Sequence, residues 1–313
     1  MMYTKLKISL CLLGSCISSM MFAQEEDLPS QFAAITGEKD MPSSGFYIGK
    51  YEVSVADYKF YLDALGQPMP EPPEYGWEND SLPMVAVSYV EAQSYANWLS
   101  DHYQITFKIP SEAQWALAAG SQQRNSNGDS KSPQCVDCMA PNQFGVYGLN
   151  GNVWEWTSTS EDDEFYNIRG GSYLEPSNEL NVNRSSTISA GLQLSDVGFR
   201  LLLEENEMKK YLFMVEVREL LHLLFPEYTN MRVEPYGIYI DDMEMFWGED
   251  ELPIVHLNET EFNLSFCCMD AISEDAEMIS KKALVFDFDK NDLVIAQQLE
   301  RLINKRDVSI FRK

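Results

Sequence analysis

The sequence predicts an α+β fold with much irregular structure, followed by a smaller C-terminal α+β domain. Short apolar runs alternate with serine-led amphipathic patterns as far as residue 203, and the loops between them are long and rich in Gly, Asn and Pro. The character of the chain changes at residue 204, where a long helical pattern begins a new series of elements. Hydrophobic residues make up 45% of the chain and aromatic residues 12%, which is enough to build a core.

The N-terminal residues 1–23 are predicted to be a secretory signal peptide. Lys5 and Lys7 precede an apolar run that is shorter than the roughly 20 residues of a membrane span, and Ala23 precedes a polar stretch. This predicts an exported protein in the periplasm, on the cell surface or in the medium. The alternative is an outer-membrane lipoprotein, because the residues that end at Cys16 are similar to a lipobox and would place a lipid anchor there.

The elements of the first domain follow from local patterns. Residues 24–40 are polar and predict a linker. The helical patterns each follow a serine that can accept a hydrogen bond from the first turn; they are 55–64 after Ser54, 89–99 after Ser88 and 112–119 after Ser111. The strand-like runs are short and apolar, and they cover 46–53, 84–87, 103–109, 168–173 and 197–203.

Residues 142–156 contain closely spaced Gly and Asn residues, which allow tight turns and left-handed conformations. The last four residues of the stretch then alternate like a strand, with two tryptophans to bury and one carboxylate, Glu155. We therefore expect a loop held in the core, with Glu155 directed at a cation or at a buried donor.

The net charge of −26 and the isoelectric point near 4.3 argue against a nucleic-acid partner, because an acidic surface repels phosphate backbones. Such a surface suits cations, basic partners or solubility alone. The charge therefore excludes one class of function without selecting another.

Four cysteines follow the predicted signal peptide, and Cys135 and Cys138 are spaced to form a small disulfide loop. A zinc site would need a second pair of ligands, and the chain has only three His. A thioredoxin-type motif would begin a helix after a strand, whereas this pair lies in a Ser/Asn/Gly/Pro-rich stretch. A structural disulfide is therefore the preferred interpretation, and Cys267 and Cys268 are expected in the core of a strand.

After residue 203 the pattern predicts a small α+β domain that covers 204–313 and resembles no family. The predicted helices are 208–224 and 293–303, and the predicted strands are 231–240, 254–268, 283–288 and 308–311.

Six motifs in series make residues 41–203 similar to a known family. They occupy 51–58, 83–98, 109–115, 144–156, 169–173 and 198–200. Together they resemble the sulfatase-modifying-factor or formylglycine-generating-enzyme domain, which has a C-type-lectin-like fold.

The resemblance implies that the catalytic copper centre is missing. Active members hold copper with two cysteines, and the matching positions here are Glu175 and Leu180. Copper(I) prefers soft thiolate ligands, so copper is not expected to bind. Some relatives act without the cysteine pair, so an oxidoreductase of this family remains the alternative.

The resemblance also implies a structural calcium ion bound by two backbone carbonyls and one carboxylate. The matching residues are Gly151, Val153 and Glu155. The family usually has Asp or Asn at the position of Gly148, so one ligand is lost. The alternative is that Glu155 pairs with a buried arginine, such as Arg169 or Arg200, or accepts hydrogen bonds from backbone donors.

The sequence thus favours a non-catalytic scaffold or binding protein, secreted or surface-anchored, with a protein or glycan partner. The polar section 175–194 replaces the family's catalytic strand and is the candidate binding cleft. Its candidate residues are Glu175, Asn178, Asn181, Asn183 and Arg184.

Overall fold

The computed structural model describes residues 25–36, 45–120, 127–160 and 162–224, together with shorter segments of the C-terminal part: 231–234, 237–240, 243–246, 254–257, 261–267, 281–287 and 292–304. The predicted signal peptide, the lipidation position Cys16 and the predicted strand 308–311 lie outside these residues. No helix in the described ranges is both long and apolar enough to cross a membrane.

The helices are α1 (Val55–Leu65), α2 (Tyr89–Tyr103), α3 (Glu112–Ala119), α4 (Glu205–Leu224) and α5 (Asp292–Asn304), and a 3-10 helix spans Glu25–Gln31. The strands up to the start of α4 are β1 (Phe32–Ile35), β2 (Phe46–Gly49), β3 (Phe107–Lys108), β4 (Trp154–Ser160), β5 (Phe165–Arg169), β6 (Ser185–Ser189), β7 (Val197–Gly198) and β8 (Leu202–Glu204). The later strands are β9 (Met231–Glu234), β10 (Gly237–Ile240), β11 (Met243–Phe246), β12 (Ile254–Leu257), β13 (Glu261–Cys267) and β14 (Lys281–Asp287).

The first three helices begin where the serine pattern predicts. Ser54, Ser88 and Ser111 each accept a hydrogen bond from the backbone N–H three residues later. Each also donates its own backbone N–H to the side chain of that later residue, which completes a capping box. Helix α1 ends at Gly66, whose φ of 65° is left-handed and costs glycine little. Helix α2 runs on to Tyr103, beyond the predicted end, because Tyr103 is also buried and continues its apolar face.

An antiparallel sheet with the order β1-β2-β8-β3 forms one side of the first domain. The predicted linker 24–40 is wrong for residues 25–35, because these form the 3-10 helix and β1, which pairs with β2 from Phe32↔Gly49 to Ile35↔Phe46. Phe32 and Ile35 are buried, so the apolar end of this segment outweighs its polar average.

A second sheet has the order β6-β5-β4-β7 and carries the central motif on β4. Strand β5 stops at Arg169, and the predicted strand 168–173 is wrong beyond that point because Gly170 and Gly171 have φ values of 99° and 81°. The predicted strand 84–87 is also wrong: Ala86 has a φ of 55°, although its apolar neighbours are buried. Strand β6 lies within the polar section and was not predicted.

The C-terminal part begins with α4 and continues into a third sheet with the order β12-β13-β11-β10-β9, in which β14 also pairs with β13. Two predicted long strands are hairpins instead, namely β9–β10 and β12–β13. Buried side chains of α4, including Met208, Tyr211 and Val217, join the same hydrophobic cluster as Tyr103 and Phe107. The apolar core therefore continues across the predicted boundary at residue 204.

Candidate functional site

A fully buried ion pair lies at the centre of the first domain. Strand β4 places Glu155 opposite Gly198 of β7, and Arg200 follows two residues later. The Arg200 guanidinium donates from Nη2 to Glu155 Oε1 at 2.5 Å and from Nε to Oε2 at 2.6 Å. Trp115 of α3 donates its indole N–H to the same Oε2 at 2.7 Å. All three side chains are fully buried, so this bidentate pair is shielded from water and from salt.

Arg200 also holds two further segments of backbone. Its Nη1 donates to the carbonyls of Gly49 at 3.0 Å and Lys50 at 3.3 Å, and its Nη2 donates to the carbonyl of Tyr147 at 2.8 Å. One side chain thus joins the end of β2, the central loop and β4. It places donors against carbonyls of irregular backbone, where hydrogen-bond partners are needed on burial.

A second buried carboxylate, Glu52, lies beside this pair. Its Oε1 accepts a hydrogen bond from Asn152 Nδ2 at 2.9 Å, while Oε2 lies 4.0 Å from Arg200 Nη2. Oε2 has no hydrogen-bond partner among the described residues. Burial raises the pKa of Glu52 from 4.5 to about 7; the positive charge of Arg200 opposes this rise, and the negative charge of Glu155 adds to it. Two buried carboxylates therefore share one guanidinium.

The residues of the predicted calcium site lie in this region. Val153 and Glu155 are fully buried, and Gly151 has a φ of 94°. Glu155 pairs with Arg200, as the alternative interpretation expects, and both of its oxygens are bound. At Gly148 a Cβ would lie only 2.2 Å from Glu52 Oε1, so the Glu52 carboxylate, from the segment between β2 and α1, fills that space. In this geometry the three residues do not form a complete calcium site, and calcium binding stays a prediction.

Arg169, the other predicted partner of Glu155, has a different role. It donates to Glu112 Oε1 at 3.1 Å and to the carbonyls of Asn183 and Val182 at 3.3 and 3.1 Å. Its guanidinium also lies 5.4 Å from the centre of the Trp115 ring. Arg169 therefore fastens the polar section to β5 and α3.

The two positions expected to carry copper-binding cysteines converge on Gly171. Glu175 Oε1 pairs with Arg184 Nη2 at 2.7 Å, and its Oε2 accepts from the backbone N–H of Ser172 at 3.2 Å. Leu180 is buried, and a Cβ on Gly171 would meet Leu180 at 2.5 Å and Glu175 at 2.6 Å. An ion pair and an apolar side chain thus occupy both positions.

The rest of the candidate cleft is a polar surface. Asn178 is exposed, and Asn183 donates its backbone N–H to Asn181 Oδ1 at 3.1 Å. Arg184 lies 5.9 Å from the centre of the Trp154 ring and covers it. The structure therefore brings Glu175 and Arg184 into contact, whereas the asparagines line the adjoining turns.

Cys135 and Cys138 are joined by a disulfide, with their Cα atoms 5.1 Å apart. The backbone N–H of Cys138 donates to the carbonyl of Cys135 at 3.0 Å, so the bridge closes a single turn. The two cysteines that the sequence predicts to form a small loop are therefore bonded to each other across one turn of backbone.

A cavity of about 580 Å³ lies away from all of these residues, between the end of α2, α4 and β9. Its lining includes Tyr103, Tyr211, Met214, Met231 and Val233, of which none belongs to a predicted site. Its walls carry neither the buried carboxylates nor the cleft residues, so we do not assign it to the candidate site.

Comparison with known proteins identifies the first domain. The model of the sulfatase-modifying factor enzyme 1-like domain matches residues 20–205, which is more than half of the chain. The chain belongs to this family. The match confirms the resemblance carried by the six motifs, and it begins early enough to include β1. Both helices and sheets build this sulfatase-modifying-factor domain, so the predicted α+β class is also confirmed.

The curated relatives match over shorter stretches. A formylglycine-generating enzyme of Thermomonospora curvata is 30% identical over 103 residues, covering 24% of this chain and 32% of the relative. A protein named serine/threonine-protein kinase pkn1 from Chlamydia pneumoniae is 27% identical over 99 residues, covering 28% of this chain and 15% of the relative. The chain therefore spans a third or less of the length of these relatives.

Three solved structures are similar to part of this chain. PvdO from Pseudomonas aeruginosa has 20% identity and a TM-score of 0.46, and the match covers 55% of this chain and 90% of that one. CarF has 19% identity and a TM-score of 0.44, covering 54% and 92%. Treponema denticola variable protein 1 has 18% identity and a TM-score of 0.41, covering 56% and 91%.

Sequence reasoning missed Glu52, Asn152 and Trp115 as members of the central cluster. A signal for Glu52 was present, since it is a carboxylate between Tyr51 and Val53 in a run predicted to be a strand. Asn152 and Trp115 gave no such signal, because their roles depend on contacts with residues distant in the chain. Asp137 was also missed as a candidate ligand, although it lies between the two cysteines in the sequence.

Proposed function

We propose that the chain is an exported, non-catalytic binding or scaffold protein built on a sulfatase-modifying-factor domain. The supporting observation is the state of the two positions where the resemblance expects copper ligands. Glu175 is ion-paired and Leu180 is buried. Neither side chain supplies the soft sulfur that copper(I) requires.

The surroundings of these positions support a structural role. Leu180 packs against Gly171 and Gly151, and the Glu175–Arg184 pair is only partly exposed, with side-chain exposures of 20% and 30%. Opening a metal site here would expose Leu180 and separate a charged pair that also covers Trp154. The region is therefore better suited to present a fixed surface than to bind a reactive ion.

The partner proposed for this surface is a protein or a glycan. The exposed Asn178 and Asn183 offer neutral donors and acceptors, and Leu174 adds an apolar contact with 56% of its area exposed. The strong negative charge disfavours nucleic acid. Export through the predicted signal peptide, or anchoring at Cys16, belongs to the same proposal.

Copper binding and oxygen consumption test the non-catalytic proposal. The full chain is incubated with copper(I) and with a Cys-containing sulfatase-type peptide, and bound copper and dissolved oxygen are measured. A Glu175→Cys/Leu180→Cys variant is the matched control, because it restores two thiols at these positions. The wild type is expected to bind no stoichiometric copper and to consume no oxygen. Peptide-dependent oxygen consumption by the wild type would instead support an oxidoreductase of this family.

Binding assays with wild type and Asn178→Arg test the surface. Asn178 is exposed, so the substitution should leave stability unchanged while it blocks the proposed contact. The probes are a glycan array and candidate partner proteins added at known concentration. Equal binding by both forms would place the binding surface elsewhere.

Calcium at Gly151, Val153 and Glu155 is a separate proposal. Because Arg200 binds both Glu155 oxygens, an ion could bind only weakly, and we expect calcium to raise the melting temperature slightly at most. The melting temperature is measured with calcium and with EDTA in wild type and Glu155→Gln. A calcium-dependent rise of equal size in both forms would exclude Glu155 as a ligand.

A further inference from the structure

The disulfide loop 135–138 brings a third potential metal ligand beside its two sulfurs. Ligand atoms of Cys135, Asp137 and Cys138 all lie within 4.8 Å of one another. Cys138 is exposed, and the other two residues are half-buried. Among the described residues, this is the one group of three or more His, Cys, Asp or Glu side chains with such spacing.

The loop is also held by contacts that do not depend on the sulfur–sulfur bond. Val136 is buried, and its N–H donates to the carbonyl of Ser81 at 2.9 Å. The N–H of Gln134 donates to Asn152 Oδ1 at 2.8 Å, and Asn152 Nδ2 donates back to the Gln134 carbonyl at 3.3 Å. Since Asn152 is fully buried, the loop is anchored to the core on one side. These bonds would keep the three ligands close together after reduction.

We propose that the loop, in its dithiol state, binds one Zn²⁺ through the thiolates of Cys135 and Cys138 and the carboxylate of Asp137. A dithiol reductant supplies two electrons and two protons, so the disulfide becomes two thiols and the reductant becomes a disulfide. Zinc then replaces both thiol protons, which pass to the buffer. Zinc accepts thiolate and carboxylate ligands in tetrahedral sites, and three protein ligands leave the fourth position open.

The charge around the loop favours a cation. The whole chain carries a net charge of −26, which attracts metal ions. The sequence pattern argued against zinc because it offered no second pair of ligands. In the structure the Asp137 carboxylate lies close to both sulfurs and supplies a third ligand.

Zinc titration of the full chain tests the proposal. The protein is reduced and freed of reductant without air, and zinc is titrated in competition with a chromophoric chelator. A control that carries Cys11→Ser, Cys16→Ser, Cys267→Ser and Cys268→Ser removes the other thiols and keeps the loop. The test variants are Cys135→Ser/Cys138→Ser and Asp137→Asn, and thermal melts show that each one is folded.

The control variant in its dithiol state is expected to bind one zinc per chain. At a pH below the usual pKa of a thiol, it should release about two protons for each zinc bound. Cys135→Ser/Cys138→Ser should abolish binding, and Asp137→Asn should weaken it about ten-fold or more. The oxidised protein should not bind. Failure of the reduced control to bind zinc would overturn the proposal. Unchanged affinity in Asp137→Asn would also overturn it, because two thiolates alone would then hold the ion.

Discussion

Replacing Glu52 by glutamine is expected to stabilise the protein above pH 7 and to remove part of its pH dependence. Glutamine keeps the shape of the side chain and an oxygen that accepts from Asn152 Nδ2. It removes the charge that burial disfavours and that Glu155 repels. The substitution therefore changes one property of the central cluster, its net charge, and leaves its packing in place.

The magnitude follows from the pKa of Glu52, which burial raises from 4.5 to about 7. Between these values the folded protein holds a proton that the unfolded chain has released, so stability falls as the pH rises through this range. The stability that Glu52 contributes by holding this proton in the folded protein is fully present below pH 4.5 and is lost above pH 7. At about 1.4 kcal/mol per pH unit this amounts to roughly 3 kcal/mol, which Glu52→Gln should recover at pH 8.

The neighbouring substitution Glu155→Gln should act in the opposite direction. It leaves the fully buried Arg200 guanidinium without its bidentate partner, which typically costs about 3–5 kcal/mol. Urea unfolding at pH 5 and pH 8, followed by tryptophan fluorescence in the presence of EDTA, measures both variants. The exposed Glu71→Gln serves as the surface control and should stay within about 0.5 kcal/mol of the wild type.

A loss of stability in Glu52→Gln at pH 8 would refute this reasoning. It would mean that the ionised Glu52 carboxylate stabilises Arg200 more than its burial costs. If the difference in stability between pH 5 and pH 8 were the same in Glu52→Gln as in the wild type, another group would be responsible for the pH dependence.

Three further predictions concern stability measured by thermal and urea unfolding. Arg200→Lys should lower the free energy of unfolding by about 3 kcal/mol or more, because an ammonium cannot reproduce the bidentate pair and the carbonyl contacts; a loss below 1 kcal/mol would contradict this. Ser88→Ala removes the cap of α2 and should cost about 1 kcal/mol, whereas the exposed Ser94→Ala in the same helix should cost less. Leu180→Ala should lower the free energy of unfolding by about 2–5 kcal/mol, because the buried leucine would leave a cavity. Asn178→Ala, at an exposed position nearby, should leave it nearly unchanged.

Much of the first domain could be predicted from local patterns, because its helices are signalled locally. Each starting serine accepts from a backbone N–H three residues later, and that bond is encoded within four residues. The burial of Glu155 against a donor was also predictable from its two flanking tryptophans. Arg200 was named as a possible partner, but the choice between Arg200 and Arg169 depends on how β4 pairs with β7 and β5.

The features that local patterns could not predict depend on distant contacts. Strand β1 has only four residues, too few for a periodic signal, and its pairing with β2 fixes it. Strand β6 is formed by polar, largely exposed residues that pair with β5. The contact between Glu52 and Asn152 joins residues that are 100 positions apart.

The Arg200 guanidinium has a consequence for how the first domain opens. Because it binds β4, the end of β2 and the central loop at once, none of the three segments can separate from it without breaking a buried bond. Partial unfolding limited to one of them is therefore unfavourable, and the three should exchange their protected amides as one cooperative unit. The exposed positions of the turns that follow Tyr173, such as Asn178, lie outside these bonds, so their residues can vary while the interior stays closed.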